Sequence, residues 1–218
     1  TVVRKGNLYQ IQLKETDIEW ASKIPVHWRV MPNKYVMRKI KSICEHYSGE
    51  DVLSLSINGV NKRNFADGGK MPATFDGYQY VCPGNLLMCL FDYDVTPRCI
   101  GKINDSGIVS PAYSQFELIN GNDQVYFYYY YLMIDNTKEL LHLAKNLRHS
   151  FTEEQLGAIN VVAPPLKEQK EIANFLDKKC EDYAELKKYG KIVQPDSIKY
   201  KILHLLADKV IDSRGAID

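Results

Sequence analysis

From Ser150 to Ala173 the chain reads S-F-T-E-E-Q-L-G-A-I-N-V-V-A-P-P-L-K-E-Q-K-E-I-A, and three structural signals follow one another within it. Thr152 with Gln155 three residues on has the hydroxyl-then-amide spacing of a capping box, so a short helix begins there. Ile159 to Ala163 reads as a strand, stopped by Pro164-Pro165, which cannot donate to a ladder and hold the preceding backbone extended. Past the prolines, Lys167 to Tyr189 contains neither Gly nor Pro and is rich in Lys, Glu and Leu, which predicts an uninterrupted helix. The prolines therefore divide the chain into a globular domain over 1–163 and a helical region over 164–218.

Downstream of the divide, Ile172, Leu176, Cys180, Tyr183 and Leu186 form one apolar stripe. Gly190 ends that helix, Pro195-Asp196-Ser197 opens a second, and Ile198, Ile202, Leu205, Leu206 and Val210 continue the pattern. Two amphipathic helices outside the domain need partners, so a coiled-coil-like hairpin or a homodimer is expected.

Upstream, Trp20 to Trp28 (W-A-S-K-I-P-V-H-W) is interrupted by Pro25 and reads as an extended segment clamped on a core by its indoles. Val36, Met37, Ile40 and Ile43 stand at helical spacing among Lys34, Arg38, Lys39 and Lys41, which predicts a short basic amphipathic helix over Val36–Cys44. Between Asp51 and Gly121 the period shortens: Val52 to Ile57, Tyr80 to Cys82, Leu86 to Phe91 and Ile108-Val109 read as strands. Asn58-Gly59, Asp76-Gly77, Pro83-Gly84-Asn85 and Asn120-Gly121-Asn122 mark reversals between them. Gln124 to Leu147 is too long for a strand and predicts one or two helices. The fold class expected is α+β, a twisted, mostly antiparallel sheet with flanking helices, followed by the helical spacer.

Composition excludes several roles. Of the 218 residues, 28 are Lys or Arg and 27 Asp or Glu, a net charge of +1, so no global field draws the protein to nucleic acid or to anionic membrane. Any contact with DNA must be local. Cys44, Cys82, Cys89, Cys99 and Cys180 lack C-x-x-C spacing and suit reduced thiols better than disulfides or zinc, and no run is apolar enough for a membrane span. A soluble cytoplasmic protein is expected.

The run Leu147-Arg148-His149-Ser150-Phe151-Thr152-Glu153-Glu154-Gln155-Leu156, passing through Ile159-Asn160-Val161 into Pro164-Pro165-Leu166-Lys167-Glu168-Gln169-Lys170-Glu171-Ile172-Ala173, resembles a particular join. It is the passage from a target-recognition domain into the helical spacer in specificity subunits of type I restriction-modification systems. Ile24-Pro25-Val26-His27-Trp28, Leu53 to Val60, Pro83-Gly84-Asn85-Leu86-Leu87 and Ile108 to Tyr113 look like the same family in the same order. The resemblance implies a non-catalytic protein that reads one half of a bipartite DNA target. It further implies helices that dock modification (methyltransferase) subunits, which carry S-adenosylmethionine, and through the complex restriction subunits. A complete subunit has two recognition domains and two spacers; this chain has one of each.

Three loops carry candidate DNA contacts. Lys62, Arg63 and Asn64 follow the Asn58-Gly59 turn and suit phosphates or purine edges, although such a run also fits a solvated loop. Tyr93 and Arg98 lie in F-D-Y-D-V-T-P-R after an apolar strand, where a structural loop is the competing reading. Lys145, Asn146, Arg148, His149 and Ser150 precede the capped helix and suit a phosphate, against a helix C-terminus whose cations face its dipole. Tyr126 to Tyr131, six consecutive aromatics, must face several directions, so most are expected in the core.

Catalytic patterns are missing from the sequence. No Asn/Asp-Pro-Pro-aromatic motif or G-x-G loop of an adenine methyltransferase occurs, and Pro195-Asp196 lacks the acid-x-Lys that a nuclease metal site needs. His149-Ser150 has no G-x-S-x-G elbow. No cofactor or metal is expected on this chain. The competing function is a truncated paralogue, or decoy, that captures modification or specificity subunits without reading DNA.

Overall fold

The computed structural model describes residues 2–5, 8–67, 72–144 and 148–188. In chain order, β1 (Val2–Lys5) pairs with β2 (Leu8–Ile11), and β3 (Leu13–Glu15) with β4 (Lys23–Pro25), both antiparallel. After β5 (Arg29–Pro32) come β6 (Met37–Ile40), β7 (Ile43–Cys44), β8 (Leu53–Ser56), β9 (Gly59–Lys62), β10 (Tyr78–Val81), β11 (Leu86–Cys89), β12 (Ile100–Lys102), β13 (Gly107–Val109) and β14 (Tyr113–Leu118). Then follow α1 (Gln124–Thr137), α2 (Glu153–Ala158), β15 (Asn160–Ala163) and α3 (Leu166–Lys188). These elements gather into two compact units, one from Thr1–Met31 with Asn160–Asp218, the other Pro32–Ile159.

The Pro32–Ile159 unit holds a four-stranded antiparallel sheet, β12-β11-β14-β6, a three-stranded one, β13-β10-β7, and the β8–β9 hairpin. The antiparallel character agrees with the dense turn chemistry, but the strands are divided among small sheets. Leu53, Val60, Val81, Leu87, Ile103 and Val109 form one buried cluster, so the hairpin packs its apolar side on the sheet. Gly101 on β12 makes that approach possible: a Cβ there would stand 2.5 Å from Val60 Cγ2 and 2.7 Å from Leu55 Cδ1.

The basic amphipathic helix expected over Val36–Cys44 is absent. Asn33–Tyr35 form a 3-10 turn, and Met37–Ile40 extend as β6 against β14, with Arg38 directly opposite Glu117 and paired to it at 2.7 Å. A window this short satisfies both periods, and the partner strand, distant in sequence, decides between them.

Helix α1 starts at Asp123, whose carboxylate accepts the Tyr126 N–H at 2.9 Å. Tyr126, Phe127, Tyr130 and Tyr131 are buried along it while Tyr128 and Tyr129 are partly exposed, so the tyrosine run is mainly core, as expected. Asn33, 1% exposed, accepts from the Tyr131 hydroxyl and donates to the Leu156 carbonyl at 3.2 Å, tying α1 to the short helix α2. Gln115, equally enclosed, accepts from Cys82 N–H (2.9 Å) and Asn85 Nδ2 (3.1 Å) and donates to the Tyr80 carbonyl (3.2 Å). Such pins fix register, because an amide buried without partners is costly.

In the other unit β15 pairs with β5. Trp28, 8% exposed, donates from Nε1 to Glu168 at 2.8 Å, and His27 meets the other oxygen of that carboxylate at 2.8 Å. The Trp20–Trp28 segment is thus held at its second indole to α3. Leu176, read as part of a partner-facing stripe, is 1% exposed and belongs to this chain's own core; Ala173, a turn away, is 3% exposed. Ile172 is half-buried. Periodicity marks an apolar face without saying what covers it. Tyr183 and Leu186 lie in α3, but their side chains, and Ile202, Leu205 and Leu206 altogether, lie outside the described residues, as does the second helix. No described helix is long and apolar enough to cross a membrane.

Candidate nucleic-acid interface

All three candidate loops belong to the Pro32–Ile159 unit. The β8–β9 hairpin turns at Ile57 and Asn58, and Gly59, at φ +98°, supplies the left-handed backbone that returns the chain. The Ser56 hydroxyl braces the turn, accepting from Asn58 N–H at 3.2 Å and donating to the Gly59 carbonyl at 3.2 Å. Lys62 and Asn64 are exposed and Arg63 half-buried. Lys62 pairs with Asp51 at 2.6 Å, and the hydrogen bond to that carboxylate raises the pKa of its ammonium group. Arg63 anchors its backbone N–H on the Val52 carbonyl (2.7 Å) and lays its guanidinium 5.4 Å from the Phe65 ring centre. Asn64 accepts the Ala66 N–H at 3.1 Å, opening the next turn.

The second loop is strapped to the C-terminal end of α1. Asp135, 3% exposed, accepts the Cys99 N–H at 2.8 Å and the Lys138 ammonium at 2.7 Å. Lys138, at φ +53°, donates to the Thr96 carbonyl at 2.8 Å and lies 4.5 Å from the centre of the Tyr93 ring. Residues on both sides of Pro97 and Arg98 are thus held by one buried ion pair. Tyr93, expected to read a base, is instead a strut. It is 4% exposed, packs edge-on against Phe151 at 5.2 Å, and donates its hydroxyl to the Ile134 carbonyl at 3.3 Å. Burial pushes its phenol well above the usual range. The strand periodicity that points Tyr93 outward ends at Cys89, and the Asp92 backbone at φ +48° reverses the direction.

The third segment is reached through backbone. Asp92 N–H donates to the Arg148 carbonyl (2.9 Å), Tyr93 N–H to that of His149 (3.2 Å), and Phe151 N–H to that of Leu90 (2.8 Å). Side chains repeat the pairing: Arg148 meets Asp92 at 3.4 Å and His149 Nδ1 meets Asp94 at 2.9 Å. Partial burial raises the Asp94 carboxyl, but the His149 hydrogen bond and backbone N–H groups outweigh it and hold it below its ordinary value. Ser150 donates to the Arg148 carbonyl at 3.1 Å, and the capping box read at Thr152 and Gln155 is present with both bonds. Lys145 and Asn146 lie outside the described residues.

Two runs separated by some fifty residues are therefore one structural piece, and Arg98 joins it to the hairpin: a Cβ at Gly59 would stand 3.9 Å from Arg98 Nη1. Residues 96–194 match the family described as the type I restriction modification DNA specificity domain. Over those residues the chain is similar to type I specificity domains. This family is defined by specificity and not by catalysis.

Solved structures agree on the fold. A structure from work on "complex assembly and conformational transition of the type I R-M system" has 17% identity and a TM-score of 0.54, over 85% of this chain and 47% of that one. The HsdS subunit from Thermoanaerobacter tengcongensis has 18% identity and a TM-score of 0.50, over 88% of this chain and 46% of that one. The chain spans about half the length of either. No curated protein sequence matches it.

What the sequence does not announce around this candidate face are Asp135, Lys138 and the carboxylates Asp51, Asp92 and Asp94. Only Asp135 carries a local signal, an acid in the apolar helix face that runs from Tyr126 to Ile134, where burial without a partner is costly.

Proposed function

We propose that the loop face of the Pro32–Ile159 unit reads the base sequence of duplex DNA, one half of a bipartite target, as the non-catalytic specificity component of a type I restriction-modification complex. The convergence of three loops carries this reading. The hairpin turn meets the second loop at Gly59 and Arg98, the Arg148-His149-Ser150 segment joins that loop through backbone bonds, and Lys62, Arg63 and Asn64 follow on the same hairpin from the far end of β9. Rigid presentation of guanidinium and amide groups suits direct readout, and cations at the edges suit phosphates. The net charge of +1 agrees with a protein whose attraction to DNA is confined to this face.

The spacer, 164–218, docks modification subunits, which hold the S-adenosylmethionine, and pairs with a second copy or with the other half of a longer subunit. The likeness in fold to a chain studied in the assembly of a type I system supports that assignment.

The test mixes the full chain with its modification subunit and compares random duplexes with duplexes selected from a library, at about 50 and about 200 mM salt. Selected duplexes are expected to keep their advantage at the higher salt, and Arg98→Ala is expected to lower discrimination by about 1–3 kcal/mol at one position of the site. Equal affinity for every sequence would leave the decoy role, capture of subunits without DNA reading, as the better account.

A further inference from the structure

Three basic side chains of the candidate face share one feature: each already holds a carboxylate. Lys62 is paired to Asp51 at 2.6 Å, Arg148 to Asp92 at 3.4 Å, and His149 to Asp94 at 2.9 Å. The carboxylates come from neighbouring loops of the same unit, and Asp92 and Asp94 stand on the very loop that carries Arg98. None of the pairs is sealed. The basic side chains are 57%, 75% and 42% exposed in that order, so a phosphate reaches each without unfolding.

We propose that Asp51, Asp92 and Asp94 are specificity determinants that act as built-in phosphate surrogates, holding Lys62, Arg148 and His149 paired until a correct sequence is engaged. The inference rests on the DNA-reading function above. Exchange of ion pairs is the physical basis. A bare cation that meets DNA displaces a condensed counterion, and that release supplies nearly all of non-specific affinity. A cation that must first leave a carboxylate replaces one ion pair with another, and the abandoned carboxylate then faces the phosphates with like charge. A wrong duplex offers only phosphates and so gains little. A correct one adds base contacts from Arg98 and Asn64, which offset the opening of pairs each worth at most about a fivefold factor in solution.

The arrangement also accounts for a DNA-reading face in a chain with nearly as many acids as bases. Asp92 sits at φ +48°, a left-handed conformation that Asn tolerates as well as Asp does, so Asp→Asn exchanges remove charge with little change of backbone.

The experiment measures full-chain binding to a random-sequence duplex and to duplexes selected from a library, at several salt concentrations, for the wild type, Asp92→Asn with Asp94→Asn, and Asp51→Asn. Asp17→Asn, an exposed carboxylate of the other unit, removes one negative charge as a control. The paired variant is expected to bind random duplex about three- to tenfold more tightly and to steepen the salt slope by about one for Arg148, with a further increment where His149 is protonated. Asp51→Asn gives a smaller change in the same direction, independent of the other loop, and the selected-to-random ratio falls in both. The inference alone is overturned if the wild type prefers selected duplexes while the variants match Asp17→Asn in affinity and slope. If neither wild type nor variants bind any duplex, the DNA-reading function falls and the inference with it.

Discussion

The β8–β9 hairpin and the Phe91–Cys99 loop meet at Gly59 and Arg98, yet they are held by opposite kinds of force. The hairpin is seated by apolar contact, with Leu53, Leu55 and Val60 against a sheet that has a glycine where it must come close. The loop is tied by directed polar bonds from one buried acid and one lysine at the end of α1. Apolar seating tolerates small sliding, whereas bonds to backbone N–H and carbonyl groups fix the loop residue by residue. The better-fixed element is the one that carries Arg98, for which base reading is proposed.

The strongest way to break this contrast is Asp135→Ala. It strips the Cys99 N–H of its acceptor and leaves the Lys138 ammonium, 24% exposed, without its carboxylate, so a loss of about 2–4 kcal/mol is expected in urea unfolding. Asp135→Asn together with Lys138→Met keeps an acceptor for Cys99 and removes the stranded charge, and should cost less than Asp135→Ala. A paired variant as unstable as the single one would show that the ion pair itself, and not the orphaned charge, supports the loop.

Gly101→Ala tests the apolar side. The new methyl would press on Val60 and Leu55, with about 1–3 kcal/mol of destabilisation from overpacking. Amide exchange should rise in β8 and β9 while Thr96 to Cys99 stay protected. Equal loosening of both elements would deny that they are held separately.

This contrast also explains what was legible beforehand. The capping box at Thr152, the α1 tyrosines and the α3 helix depend on residues a few positions apart, and periodicity and hydroxyl spacing reveal them. The reversal near Asn58-Gly59 was equally plain. β6 was not, because Met37 to Ile40 fits a helix until β14, some eighty residues away, claims its backbone. The candidate loops are legible singly, as charged runs beside turns. Their union was invisible, since it consists of backbone bonds between Asp92 and Arg148 and between Tyr93 and His149, which no residue type announces. Tyr93 defies its sequence context for the same reason: an aromatic between two acids looks solvent-facing until Phe151 and Ile134 enclose it.

Tyr93→Phe sharpens that correction. The ring and its contact with Phe151 remain while the 3.3 Å bond to the Ile134 carbonyl is lost, so stability should fall by about 1 kcal/mol or less, with duplex affinity unchanged once the protein is folded. Weaker duplex binding at unaltered stability would return Tyr93 to the reading face.

The smallest effect concerns the link between the loop and Arg148-His149-Ser150. Because Asp94 is held below its ordinary value near 3.8, its pairing supports the fold fully above that value and is lost as pH falls through the lower, folded-state value. The response of the carboxyl therefore lies on the acid side of pH 3.8. Following the Asp94 carboxyl by NMR as the solution is acidified should give a midpoint under 3.8, and His149→Ala should move that midpoint upward by removing the ring hydrogen bond. A midpoint that ignores His149→Ala would mean that the backbone N–H groups of Asp94 and Val95 alone depress the carboxyl. The two segments would then be joined by their main chains and not by charge.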